Sequence, residues 1–120
     1  MEDVIQVATE IQKCISQLTK AIKDVKTRSE RLAQAIANYD KRLAIVMIQL
    51  KNGYEFEVDG QKIKEVSATN LEKVAKGICW KEKLELETAE AEYKSVITFI
   101  ETVKAQLNGW QSINRYLESR

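Results

Sequence analysis

The residues best equipped for chemistry lie near the C-terminus. There Trp110, Gln111, Asn114, Arg115 and Tyr116 bring an indole, two amides, a guanidinium and a phenol into one short stretch. On a helix, this spacing puts Trp110, Asn114 and Leu117 on one face, with Gln111, Arg115 and Tyr116 flanking it. Such groups hold phosphates and hydroxyls and stack on a planar base, which is recognition rather than turnover. The alternative is an aromatic helix end whose polar side chains simply face water. Tyr93 and Trp80 are further candidates for stacking. A second cluster, Lys20, Lys23, Lys26, Arg28 and Arg31, surrounds Ser29. It is either a solvated face around a register-setting polar residue or an anion site, for which Lys26, Arg28 and Arg31 are the candidate ligands.

Catalytic patterns are missing. The chain has no histidine and only two cysteines, Cys14 and Cys79, set far apart, which argues against zinc chemistry and against a cysteine-histidine nucleophile. Both thiols are expected to be buried or half-buried small hydrophobes of a reducing compartment rather than a disulfide. Neither a phosphate-binding glycine loop nor a nucleophile elbow occurs. Glu85, Glu87, Glu90 and Glu92 recur as a helix-surface series, and Glu55 and Glu57 face Lys62 and Lys64 across a turn. The expectation is a protein that is not an enzyme and uses no metal or cofactor.

The elements that must carry these residues are set by periodicity. From Val4 to Leu50, apolar residues recur alternately four and three positions apart. Ala8, Ile15, Ile22, Ser29, Ile36, Leu43 and Leu50 form one heptad column, and Val4, Ile11, Leu18, Val25, Leu32, Tyr39 and Val46 form its partner. A helix over about 3–51, on the order of 70 Å long, follows. Asn52-Gly53 ends it, and the alternating stretches on either side of Asp59-Gly60 predict a β-hairpin over about 54–66, with Val58 opposite Gln61 and Phe56 opposite Ile63. Thr69 and Glu72 have the spacing of a capping box that opens a second helix, over about 69–118. A bend or change of packing partner is expected between Gly77 and Lys83. Beyond it Leu86, Ala89, Tyr93, Val96, Ile100, Val103, Leu107 and Trp110 keep an unbroken heptad; at Asn108-Gly109 the helix either continues or restarts after a tight turn, and continuation is the expectation.

The fold class that results is mainly α: two long antiparallel coiled-coil-like helices joined by a small β-hairpin in a single domain, 1–120. Two long helices close no globular core alone, so a homo-oligomer, a dimer or higher, is expected. Charged residues make up 31% of the chain at a net charge of +1, which gives mixed, solvated faces; nucleic acid is not the expected partner. No apolar run approaches the roughly 20 residues a bilayer span needs, and the start of the chain lacks a basic leader, so no membrane is expected and a cytosolic location is.

Three stretches carry a family resemblance: Val74 to Glu82, Ala89 to Lys94, and Lys104 to Tyr116, the last containing Gln-Ser-Ile-Asn-Arg. They resemble small proteins of phages of Gram-positive bacteria, and in particular the phage anti-Thoeris sponge family. The resemblance implies an anti-defence protein of the host cytoplasm. Such a protein binds a cyclic ADP-ribose isomer, the signal of TIR-domain (Thoeris) immunity, and sequesters it uncleaved between helices of paired subunits. On that basis Arg115 is the position carried over, with Asn114 and Gln111 for the polar parts of the ligand and Trp110, Tyr93 or Trp80 for its base. Gly109 and Glu92 stand where further basic or amide groups would have helped. Two rivals follow from the residues alone: a structural or adaptor coiled coil, and a nucleic-acid-binding accessory protein using the Lys20 to Arg31 stripe.

Overall fold

A computed structural model describes residues 2–119. Helix α1 spans Glu2–Lys51, strands β1 and β2 span Phe56–Val58 and Gln61–Ile63, and helices α2 and α3 span Leu71–Ile78 and Trp80–Glu118. The chain is mainly helical, as its periodicity predicts. It divides into two compact units, residues 1–29 with 91–120, and residues 30–90.

In the second unit α1 ends where the sequence places its stop. Gly53 adopts a left-handed φ of 84°; its N–H donates to the Leu50 carbonyl at 3.1 Å, and the Tyr54 N–H donates to that of Gln49 at 2.9 Å. These two bonds satisfy carbonyls that a helix end otherwise leaves open. The strands pair antiparallel with Phe56 opposite Ile63, Glu57 opposite Lys62 and Val58 opposite Gln61. Asp59 and Gly60, at φ of 51° and 78°, form the turn whose twist suits a two-residue hairpin. Each strand has only three residues, too few to stand alone in water. What supports them is a core of Tyr39, Val46, Leu50, Ala75 and Cys79, against which Phe56, Ile63, Leu71, Val74, Ile78 and Leu86 pack.

The second helical stretch departs from the sequence reading at its start. The cap of α2 is Asn70, in helical φ/ψ and with no side-chain cap bond, so the Thr69 to Glu72 capping box does not form. The Asn70 N–H instead donates to the Ser67 carbonyl at 3.0 Å, closing a turn ahead of the helix. The expected change of course between Gly77 and Lys83 falls at Cys79, whose ψ of 23° separates α2 from α3. Cys79 N–H to Ala75 and Lys83 N–H to Cys79, both at 3.0 Å, carry the bonding ladder past the bend. Gly109 lies inside α3, so the helix continues through it.

Gln49 presents a mismatch in this unit: its Oε1 is buried with no hydrogen-bond partner. A buried acceptor left unmade costs about 1–3 kcal/mol. Gln49→Met keeps the length of the side chain without that oxygen, and its expected effect is a gain of about 1 kcal/mol, seen as a higher Tm in thermal melts.

The first unit pairs the N-terminal part of α1 with the C-terminal part of α3, running antiparallel: Arg28 meets Glu92, while Gln17 to Asp24 lie across from Ser95 to Phe99. On α3 the heptad holds as the sequence predicts. Ala89, the last such residue before this unit, and Val103 are buried, and Val96, Ile100, Leu107 and Trp110 are half-buried. On α1 the covered face is displaced from the expected one. The column Ile11, Leu18 and Val25 is half-buried, and its partner is Val7, Cys14 and Ala21, all at least 94% buried. The expected partner column stays in water: Ala8 is exposed, and Ile15 and Ile22 retain 44% and 64% of their accessible surface. In the second unit the same division holds at Ala35, buried, and Ile36, exposed, and ends where Leu43, half-buried, packs against the core and Leu50 is buried. Small residues win the internal seam because alanine and cysteine let two helix backbones approach closely, and isoleucine at those positions would hold them apart.

Candidate functional site

The candidate binding residues are carried by α3, and the structure places them in two groups. Trp80 belongs to the second unit and Tyr93, Trp110, Gln111, Asn114 and Arg115 to the first. Tyr93 and Trp110 are half-buried in the heptad face, separated from one another by the turns that carry Val96, Ile100 and Val103. Gln111 and Arg115 are exposed one helical turn apart, beside the half-buried Asn114. The Arg115 Nη2 donates to Ser112 Oγ at 3.2 Å, and the Asn114 Nδ2 donates to Glu118 Oε1 at 3.2 Å. Arg115 therefore keeps a guanidinium that no carboxylate bonds among the described residues. Tyr116 is the most exposed aromatic residue of this run.

The basic residues of α1 do not converge. Lys26 is exposed on the side of α1 that bears Ile22, whereas Arg28 lies in the column of Val7, Cys14 and Ala21. The Arg28 Nε bonds Asp24 Oδ1 at 3.2 Å and its Nη1 bonds Glu92 Oε2 at 2.6 Å. The charge of Asp24, then the bond and charge of Glu92, hold the guanidinium above its ordinary pKa. Two of its nitrogens, Nε and Nη1, are thus turned to carboxylates, and of the candidate anion ligands Lys26 and Arg28 belong to the first unit and Arg31 to the second. Glu92, which the family resemblance marks as an awkward position, here has a structural task.

Two concave regions escape sequence reasoning. In the first unit an open groove of about 520 Å³ is lined by Gln17, Lys20, Ala21, Asp24, Ser95, Val96 and Phe99. In the second, a cleft of about 300 Å³ lies between β1 and the start of α3, with Arg42, Phe56, Trp80 and Glu82 among its walls. Arg42 is engaged there, its Nε 3.6 Å from Glu82 Oε1 and its guanidinium carbon 5.9 Å from the centre of the Phe56 ring. The Trp80 ring has Lys81 Nζ 5.6 Å from its centre. No sequence signal pairs Arg42 with Trp80, because the bend at Cys79 and the hairpin bring them to one cleft.

Comparison with known proteins decides nothing further. No protein-family model, curated protein or solved structure matches this chain.

The two thiols are free and buried. Burial, reinforced by the Glu82 carboxylate and opposed by Arg42, pushes the Cys79 thiol above its ordinary pKa, so it is a poor nucleophile. Among the described residues no cluster of histidine, cysteine or carboxylate side chains is arranged to hold a metal ion. No helix among them is long and apolar enough to cross a membrane. What the surface offers in quantity is apolar: Ile5, Ile15 and Ile22 on α1 of the first unit, and Ile36, Ile45 and Ile48 on α1 of the second.

Proposed function

We propose that this chain is a non-enzymatic assembly or adaptor protein that works by helix-to-helix association. The observation that supports the reading is the doubled apolar character of α1: one heptad face is covered within the chain by Val7, Cys14 and Ala21, and an adjacent one, Ile15 and Ile22, is left in water. Isoleucines at a strict seven-residue interval are an assembly signal, and exposed apolar stripes of this kind mark interaction sites. An assembled protein is stabilised by mass action, so its Tm rises with concentration. Thermal melts followed by circular dichroism over a hundredfold range of protein concentration test this. A rising Tm supports the reading and an unchanged one contradicts it.

A second reading is favoured by one observation, the exposed guanidinium of Arg115, one turn from Gln111 and bonded among the described residues to a neutral hydroxyl. In that reading the protein is a phage anti-Thoeris sponge of the host cytoplasm. It holds a cyclic ADP-ribose isomer uncleaved between subunits, with Arg115, Asn114 and Gln111 on the phosphates and riboses and Trp110 or Tyr93 against the base. The site would be completed by another subunit, which agrees with the separation of these residues on a single chain. Calorimetric titration with cyclic ADP-ribose isomers decides it. Saturable heat, lost in Arg115→Ala and followed by recovery of intact ligand, supports the sponge; absence of heat with every isomer removes it. The nucleic-acid reading has less to support it, since Arg28 is turned to Asp24 and Glu92.

A further inference from the structure

We infer that the uncovered face of α1 in the first unit is the seam of an antiparallel pair formed with a second copy of this chain, its two-fold axis passing between Lys13 and Cys14. The inference rests on the assembly reading above and specifies its partner and orientation.

The face consists of Ala8, Ile15 and Ile22 in one column and Ile5, Gln12, Thr19 and Lys26 in the next, all exposed. Together they make a second heptad seam beside the one that α3 covers. Charge decides how a copy of this seam can lie on itself. In a parallel, in-register pair every residue meets its own counterpart. Lys26 would then face Lys26 inside the seam, and nothing would answer the carboxylate of Glu2. Like charges set directly against each other oppose association.

Reversing one copy removes the conflict. With the axis between Lys13 and Cys14, Ile5 of each chain meets Ile22 of the other, Ala8 meets Thr19, and Gln12 meets Ile15. The flanking column Glu2, Thr9, Ser16 and Lys23 then pairs with itself in reverse, Glu2 against Lys23 and Thr9 against Ser16. Lys26 then comes beside the acidic first turn of the partner helix, Glu2 and Asp3, instead of its own counterpart. The same contacts occur twice, as a two-fold interface requires. The side chains involved are available: Thr19 Oγ1 donates to the Ile15 carbonyl of its own helix, at 2.9 Å, and Gln12 is exposed, a polar residue at the centre of the seam of the kind that sets register.

Cysteine bridging reads this geometry directly. In Ala8→Cys/Thr19→Cys, both substitutions are at exposed positions, and the native thiols Cys14 and Cys79 stay buried. The two introduced thiols lie on one helix about 16 Å apart, beyond the reach of an internal bridge. Treatment with a short bis-maleimide, then peptide mass spectrometry, is expected to give a covalent dimer whose main linkage joins position 8 of one chain to position 19 of the other. Circular dichroism confirms that the variant keeps its helix content. Linkage of 8 to 8 and 19 to 19 would overturn the antiparallel arrangement. A protein that sediments as an oligomer yet forms neither linkage would overturn this face as the seam and leave the assembly reading standing. A protein that sediments as a monomer and forms no linkage would remove both, and would leave the face to a different partner.

Discussion

Val46→Asp unfolds the second unit. Val46 has no accessible surface and lies in the cluster that joins α1 to α2, Cys79 and the hairpin. Aspartate there removes the apolar contacts and buries a carboxylate in an apolar cluster, at a cost of about 5 kcal/mol. A unit of this size has about that much stability in total. The expected result is loss of the dispersed NMR signals of Phe56 and Ile63 together with a marked fall in ellipticity at 222 nm. The conservative Val46→Ala, with a smaller loss of about 2 kcal/mol, should keep both signals and lower the Tm. Retention of a native melt by Val46→Asp would mean that the hairpin does not depend on this core.

Ile15→Lys/Ile22→Lys should do the opposite, sparing the fold and removing the assembly. Both side chains stand in water, and lysine is at least as good a helix former as isoleucine, so helix content should not fall. In a two-fold pair the substitutions remove four isoleucines from the seam and add four like charges. Even at about 1 kcal/mol each, the lost burial weakens association by roughly several hundredfold. The internal column gives a contrasting control: Ala21→Lys, at a position 94% buried, should lower the Tm rather than change the assembly alone. If the double variant instead melts far below the parent at equal monomer concentration, Ile15 and Ile22 belong to a fold-stabilising core.

Much of the architecture is legible in the residues because it depends on local rules. Asp59-Gly60 forces the hairpin register, since few other dipeptides accept two left-handed conformations in succession. Gly53 ends α1 for a similar reason. The heptad of α3 is legible through Gly109 because a single glycine costs a helix only about 1 kcal/mol. The capping box at Thr69 fails because a tertiary demand overrides a local one: the turn from Ser67 to Asn70 delivers Leu71 and Val74 to the hairpin core and delays the helix start. The seam of α1 shows a subtler limit. Periodicity identifies the columns, but Ile15 and Ile22 look like better core residues than Cys14 and Ala21, and it is the smaller pair that the fold buries. At the candidate site the kinds of group were legible, while their grouping was not. Arg28 looked like a phosphate ligand until Asp24 and Glu92 engaged its Nε and Nη1.

Assembly through the exposed face of α1 is tested most directly by sedimentation equilibrium of the purified protein from low to high micromolar concentration, alongside Ile15→Lys/Ile22→Lys. The expected result is a mass of at least twice the 13.8 kDa chain, falling toward one chain on dilution, with the variant at one chain throughout. A parent that stays at one chain at every concentration would contradict the account, and so would a variant that associates as tightly as the parent.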